Sequence, residues 1–234
     1  MNEAAKDYFN FVGIGGISGA GKDLFFTLCK EYLKELKISS TRIGLGDEVK
    51  SEAAKTIKQM YGFSPKDCSR KQKNLIRSHL VFLGAIKRQQ SKGRYWIEKA
   101  EHAIEKLHQN FLPQILINPF IFITDVRYDE YEKDEIHWVT NELEGTLVHI
   151  KKFKPSPKIN EKLMPTGLFS REWSTPPNKA EKENDPRVQR NAHKTIEWQD
   201  YENTPLLRAK KHLVPAVKSF IDEELEKISI KKDL

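Results

Sequence analysis

Apolar residues fall into two kinds of run along this chain. Short continuous runs centred on Phe11-Val12-Gly13-Ile14, Phe120 to Thr124 and Thr146 to Ile150 predict buried strands. A further short strand is predicted over 38–45, ending at Gly46-Asp47. Pro119 lies just before the Phe120 run, where it leaves the ladder intact. Between these runs the spacing turns helical. Leu24, Phe25, Leu28, Tyr32 and Leu36 predict a helix over 22–36, and another runs over 48–61 until Gly62-Phe63-Ser64-Pro65 breaks it. Leu75, His79, Phe82, Leu83 and Ile86 mark an apolar side on a helix over 70–90. Trp96, Ile97, Ala100, Ile104 and Leu107 do the same over 95–107. Helices are also predicted over 128–143, closed by Gly145, over 194–201, and over 205–228 with a kink at Pro215. Alternation of strands and helices predicts an α/β fold with a mainly parallel, doubly wound sheet flanked by helices.

Residues 151–192 break the alternation. Pro155, Pro157, Pro165, Pro176, Pro177 and Pro186 interrupt them while Lys and Arg recur, which predicts a long mobile excursion rather than core structure. As a basic lid over phosphates, its natural contacts would be Arg171, Arg187 and Arg190.

At 234 residues the chain is long enough for one sizeable α/β domain with an inserted segment. No apolar run approaches the roughly 20 residues of a membrane span, and Met1 to Asp7 lacks a basic flank and apolar signal core. A cytoplasmic location with Cys29 and Cys68 as reduced thiols is therefore expected. The net charge of +7 calls for an anionic partner: nucleotide, nucleic acid or an acidic surface.

Candidate chemistry settles on nucleotide. Gly16-Ile17-Ser18-Gly19-Ala20-Gly21-Lys22-Asp23 follows the first strand and opens the first long helix. It fits the phosphate-binding pattern G-x-x-x-x-G-K-[ST] except at its last position. Glycines let such a loop aim backbone N–H groups at phosphate oxygens, the helix adds its positive end, and Lys22 can reach the β- and γ-phosphates. ATP is the expected donor. Asp23 puts a carboxylate where a Mg²⁺-binding hydroxyl is usual. The strand ending in Thr124-Asp125-Val126-Arg127 delivers a carboxylate and a guanidinium to the same sheet edge. Asp125 can orient Mg²⁺, pair with Arg127 or cap a helix; Arg127 suits bidentate phosphate recognition.

Several motifs together carry a family resemblance. The Gly16 to Asp23 loop, Asp47-Glu48-Val49-Lys50, Leu83-Gly84 followed by Trp96, and Asp125-Val126-Arg127-Tyr128 occur in that order, and Gly145-Thr146-Leu147-Val148 continues the match. Over roughly residues 9–150 the chain resembles the bacteriophage-type deoxynucleoside monophosphate kinases, a phosphate-loop kinase family. The resemblance implies transfer of the γ-phosphoryl of ATP to a deoxynucleoside 5′-monophosphate with Mg²⁺, in the cytoplasm, a host's if the chain is phage-encoded. It implies one kinase domain over 1–234, with a helical acceptor region over 46–110 and the lid-like insertion over 151–192. Family members are similar in placing Asp after the loop lysine. Leu24 departs from the Thr that often follows, which shifts metal binding onto Asp23 or Asp125.

For the acceptor the resemblance points to Asp47, Lys50, Arg77, Arg88 and Arg127. Lys50 and Arg88 also read as solvated helix charges, the ordinary fate of such residues, and Trp96 can stack on a base, although a Trp on an apolar helix face is more often core. His193 matches the family only loosely and also reads as structural. Donor binding leaves another small phosphorylated metabolite open as acceptor. A nucleotide-controlled nucleic-acid module is the third reading; the chain carries no recognised motif for it. A homodimer is compatible with the sequence.

Overall fold

The computed structural model describes residues 1–110, 118–155, 171–199 and 206–232. A short helix α1 (Glu3–Tyr8) leads into β1 (Asn10–Gly15), α2 (Lys22–Glu35) and β2 (Ser40–Gly44). Three helices follow, α3 (Leu45–Tyr61), α4 (Arg70–Ser91) and α5 (Arg94–Asn110), then β3 (Phe120–Val126). A single turn α6 (Glu135–His137) continues as a π-helix over Trp138–Glu142. The chain then forms β4 (Thr146–Pro155), β5 (Arg171–Trp173), α7 (Lys179–Asn191), β6 (Lys194–Gln199) and α8 (Leu206–Lys232).

The expected doubly wound α/β sheet is present. Strands lie in the order β2-β3-β1-β4, with β6 beside β4, and all these pairs are parallel. Only β5 is antiparallel: Phe153 of β4 faces Gln199 on one side and Trp173 on the other. Because β1 and β3 are covered on both faces they read as continuous apolar runs. Phe11, Ile121, Ile123, Trp138 and Leu147 fill one layer with α5, and Val12, Ile14, Phe122, Val148 and Ile196 fill the other with α2 and α8.

Three predicted elements are corrected. Residues 194–199 form a strand, not a helix, with Ile196 and Trp198 alternating inward between exposed Thr195 and Glu197. Helix over 128–143 exists only from Glu135, because the Asp134 carboxylate accepts the backbone N–H groups of Glu130, Tyr131 and Glu135 and folds 128–134 into a loop. Within 151–192, β4 runs to Pro155, and β5 and α7 are regular, with Val188 of α7 in the core; 156–170 lie outside the described residues. The inward side of α4 is also rotated from the predicted one. Ile76 and Arg88 are buried, whereas Leu75 and Phe82 are exposed. No helix among the described residues is long and apolar enough to cross a membrane.

Candidate phosphotransfer site

The loop between β1 and α2 sits at the carboxyl ends of the parallel strands, where open α/β sheets place ligands. Two of its glycines are dictated by close approach. Gly16 has φ +122, and a Cβ there would lie 2.4 Å from the Ile150 carbonyl oxygen. Gly21 caps α2 with φ +100, and its Cβ would lie 2.5 Å from the Trp198 ring. The Trp198 indole N–H donates to the Ala20 carbonyl at 2.7 Å. Thus β6, from the far end of the chain, fixes the back of the loop.

Lys22 is buried, and its ammonium donates to the Gly16 and Ile17 carbonyls at 2.8 and 3.1 Å. Asp125 Oδ1 stands 3.5 Å away. Burial pushes the Lys22 pKa down, against the pull of Asp125. Asp125 is the bulged residue of β3: pairing with β1 skips from Thr124 to Val126, and Asp125 takes φ +68. The bulge gives Val126 the core position that strict alternation would assign to Asp125, and leaves the carboxylate at the cleft. Burial opposes ionisation of Asp125, but the Arg127 and Lys22 charges outweigh it and hold the carboxyl well below the usual range.

A cleft of about 390 Å³ joins the loop to the helical region. Its lining includes Ser18, Gly19, Gly21, Lys22 and Asp23 of the loop and first turn, Asp47, Lys50, Arg77, Arg88 and Trp96 of the helical region, and Asp125 and Arg127 of the β3 end. Gly16 and Ala20 shape the loop without lining this cleft. Sequence reasoning therefore selected residues that the fold brings together, although their states differ. The Asp23 side chain is 92% exposed at the start of α2, 3.8 Å from Arg42. Asp47 is held by Lys50 at 2.6 Å and by Arg42 in a short ion pair. Among the described residues, Arg77 reaches only Asn74 of its own helix, at 3.4 Å.

Arg88 and Trp96 have structural partners. Arg88 is 3% exposed and forms a bidentate pair with fully buried Asp134 at 2.7 and 2.8 Å, with its guanidinium 3.6 Å above the Tyr128 ring. The reading of Arg88 as a solvated helix charge is thereby overturned. Trp96 is a 2% exposed core residue donating its N–H to the Gly84 carbonyl at 3.2 Å. His193 accepts the Leu147 backbone N–H at 2.9 Å, a structural role. Arg171 pairs with Glu197, and Arg187 donates to the Asp129 carbonyl.

Residues that sequence reasoning missed complete the site. Arg42 on β2 bridges Thr124 and Asp47; a basic residue within a strand was its only signal. Lys73 and Tyr128 also line the cleft. Glu135, though buried, also lines it and accepts the N–H groups of Arg127 and Tyr128 at 2.7 and 3.2 Å. Burial raises its pKa to about 7 although Arg88 is close, because Asp134 already neutralises that arginine. Glu181 of α7 holds the other side of Arg127 at 2.8 Å.

No family model and no curated protein matches the chain. Among solved structures it is similar to a dephospho-CoA kinase from Campylobacter jejuni, at 14% identity and a TM-score of 0.40, over 90% of this chain and 96% of that one. It is also similar to a gluconokinase from Sinorhizobium meliloti 1021, at 10% identity and a TM-score of 0.36, over 94% and 98%. Both likenesses are distant, and the chemistry of the cleft rests on its own residues.

Proposed function

We propose that the protein is an ATP-dependent kinase that phosphorylates deoxynucleoside 5′-monophosphates to diphosphates. One observation carries this reading: a single cleft is lined both by the phosphate loop and by a second set of cations, Lys50, Lys73 and Arg77, from helices α3 and α4. Two groups of anion-binding residues around one space suit a phosphorylated acceptor beside a phosphorylated donor.

The chain's own groups divide the work. Lys22, now held by loop carbonyls, exchanges them for the β- and γ-phosphates. Arg127 presents its guanidinium to the transferring group, and Lys50 and Arg77 orient the acceptor phosphate. No covalent enzyme intermediate is needed, since alignment and charge stabilisation lower the barrier. Asp23 and Asp125 line the same cleft and fit a Mg²⁺ that arrives with the nucleotide. No group of three or more His, Cys, Asp or Glu among the described residues is poised to hold a metal, so phosphate oxygens and water would complete its shell. Bound Mg²⁺ neutralises charge on the phosphates.

A panel of deoxynucleoside and ribonucleoside monophosphates with Mg²⁺-ATP, read by a coupled ADP assay, tests the proposal. Diphosphate should form from at least one deoxynucleotide, and Lys22→Ala should lower turnover by roughly a hundredfold or more. Failure with every monophosphate would favour another phosphorylated metabolite as acceptor.

A further inference from the structure

We infer that Glu181, outside every motif above, is a positioning residue that couples helix α7 to the phosphate loop and sets the hold on the γ-phosphate. Its carboxylate is buried, at 6% exposure. One oxygen accepts the Ser18 backbone N–H at 2.6 Å, and the other accepts from Arg127 at 2.8 Å and from the Asn178 side chain at 3.2 Å. A carboxylate held on a phosphate-loop amide might be taken for a competitor of phosphate, but its location argues otherwise. Glu181 does not line the 390 Å³ cleft that holds Lys22; it lines a separate, much smaller cavity behind Arg127 with Gly16 and Asn184. It thus acts from behind, fixing Ser18 and presenting the guanidinium forward.

The chain of charges supports this. Arg127 is gripped by Glu181 on one nitrogen and by Asp125, at 3.0 Å, on the other. Asp125 in turn faces Lys22. A guanidinium held at both ends by charge-assisted bonds keeps its plane when a phosphate enters. Two further inward side chains of α7 are polar, Asn184 donating to Glu130 and Asp185 meeting His149, while Val188 anchors the helix in the core. Among the described residues, Glu181 is the polar link from α7 to the loop, through the Ser18 amide.

This rests on the reading of the loop as an ATP site but not on the acceptor's identity, so the test reads donor binding. Affinities for Mg²⁺ complexes of ADP and of the non-hydrolysable ATP analogue AMPPNP are measured by calorimetry in wild type, Glu181→Gln, Glu181→Asp and Arg127→Ala. Glutamine cannot accept from both Ser18 and Arg127 with full charge, and aspartate is one methylene short. Each should lower the preference for AMPPNP over ADP about tenfold, as loss of a charge-assisted bond predicts, with ADP affinity nearly unchanged. In the Arg127→Ala background, Glu181→Gln should change the ratio by less than about twofold, since coupled residues are not additive. An unchanged ratio in folded Glu181→Asp or Glu181→Gln would overturn the inference. So would an equal loss in the Arg127→Ala background, or a loss of melting temperature alone. A wild type inactive on all monophosphates, with the ratio lost in the variants, would sink the acceptor assignment and leave Glu181's role standing.

Discussion

Asp125 and Arg127, two positions apart at the end of one strand, share an ion pair of 3.0 Å beside the left-handed bulge at Asp125. The same guanidinium reaches Glu181 through its other terminal nitrogen. A lysine has one point charge and cannot span two carboxylates while meeting a phosphate. Arg127→Lys should therefore lower kcat by about ten- to a hundredfold despite keeping the charge. Steady-state assay with the best monophosphate checks this, and wild-type turnover in the variant would refute the planar role.

Arg88 should be chiefly a stability residue. Removing its side chain leaves Asp134, at 0% exposure, without its ionic partner. Breaking a buried pair in this way costs about 3–5 kcal/mol. Arg88→Ala should lose that much in denaturant unfolding, and Arg88→Ala/Asp134→Asn should recover part of it. If Arg88→Ala kept full stability and lost only acceptor affinity, the side chain would instead be a ligand contact.

Glu135 gives stability a pH dependence of definite sign. Its folded pKa of about 7 lies above the ordinary 4.5. Between these values the native protein keeps a proton that the unfolded chain has released, so the contribution of this group to stability falls as pH rises through that window. Unfolding free energy should drop by about 2–3 kcal/mol from pH 5 to pH 8 on account of Glu135. Glu135→Gln should remove most of that slope in denaturant titrations at the two pH values, and a wild-type slope in the variant would contradict the assignment.

Trp198→Phe tests the support behind the loop. Phenylalanine keeps the ring beside Gly21 but leaves the Ala20 carbonyl without its 2.7 Å donor. An unsatisfied buried acceptor costs about 1–3 kcal/mol. Part of that cost should appear as nucleotide affinity weakened about tenfold, measured by ADP titration. Unaltered binding with lower melting temperature would confine Trp198 to the fold.

Much of this was legible in the chain because β1, β3 and β4 are covered on both faces and so appear as unbroken apolar runs. The loop and the Asp125-Val126-Arg127 end were legible because their chemistry is local. What escaped depends on partners distant in sequence. Arg88 looks like any helix charge until Asp134 is placed beside it, and its burial turns α4 so that Leu75 and Phe82 face outward. Glu181 looks like an ordinary first-turn acid until Ser18 and Arg127 meet it. The strand at 194–199 carries the alternation Ile196, Glu197, Trp198, too short a run for periodicity alone to separate strand from helix.

Trp198 and Ala20 lie 178 positions apart. During synthesis the N-terminal strand, loop and helix emerge long before the residue that braces them. A nascent chain shorter than about 200 residues thus carries the loop without the indole that braces it, so the loop takes its final shape only after β6 has docked beside β4.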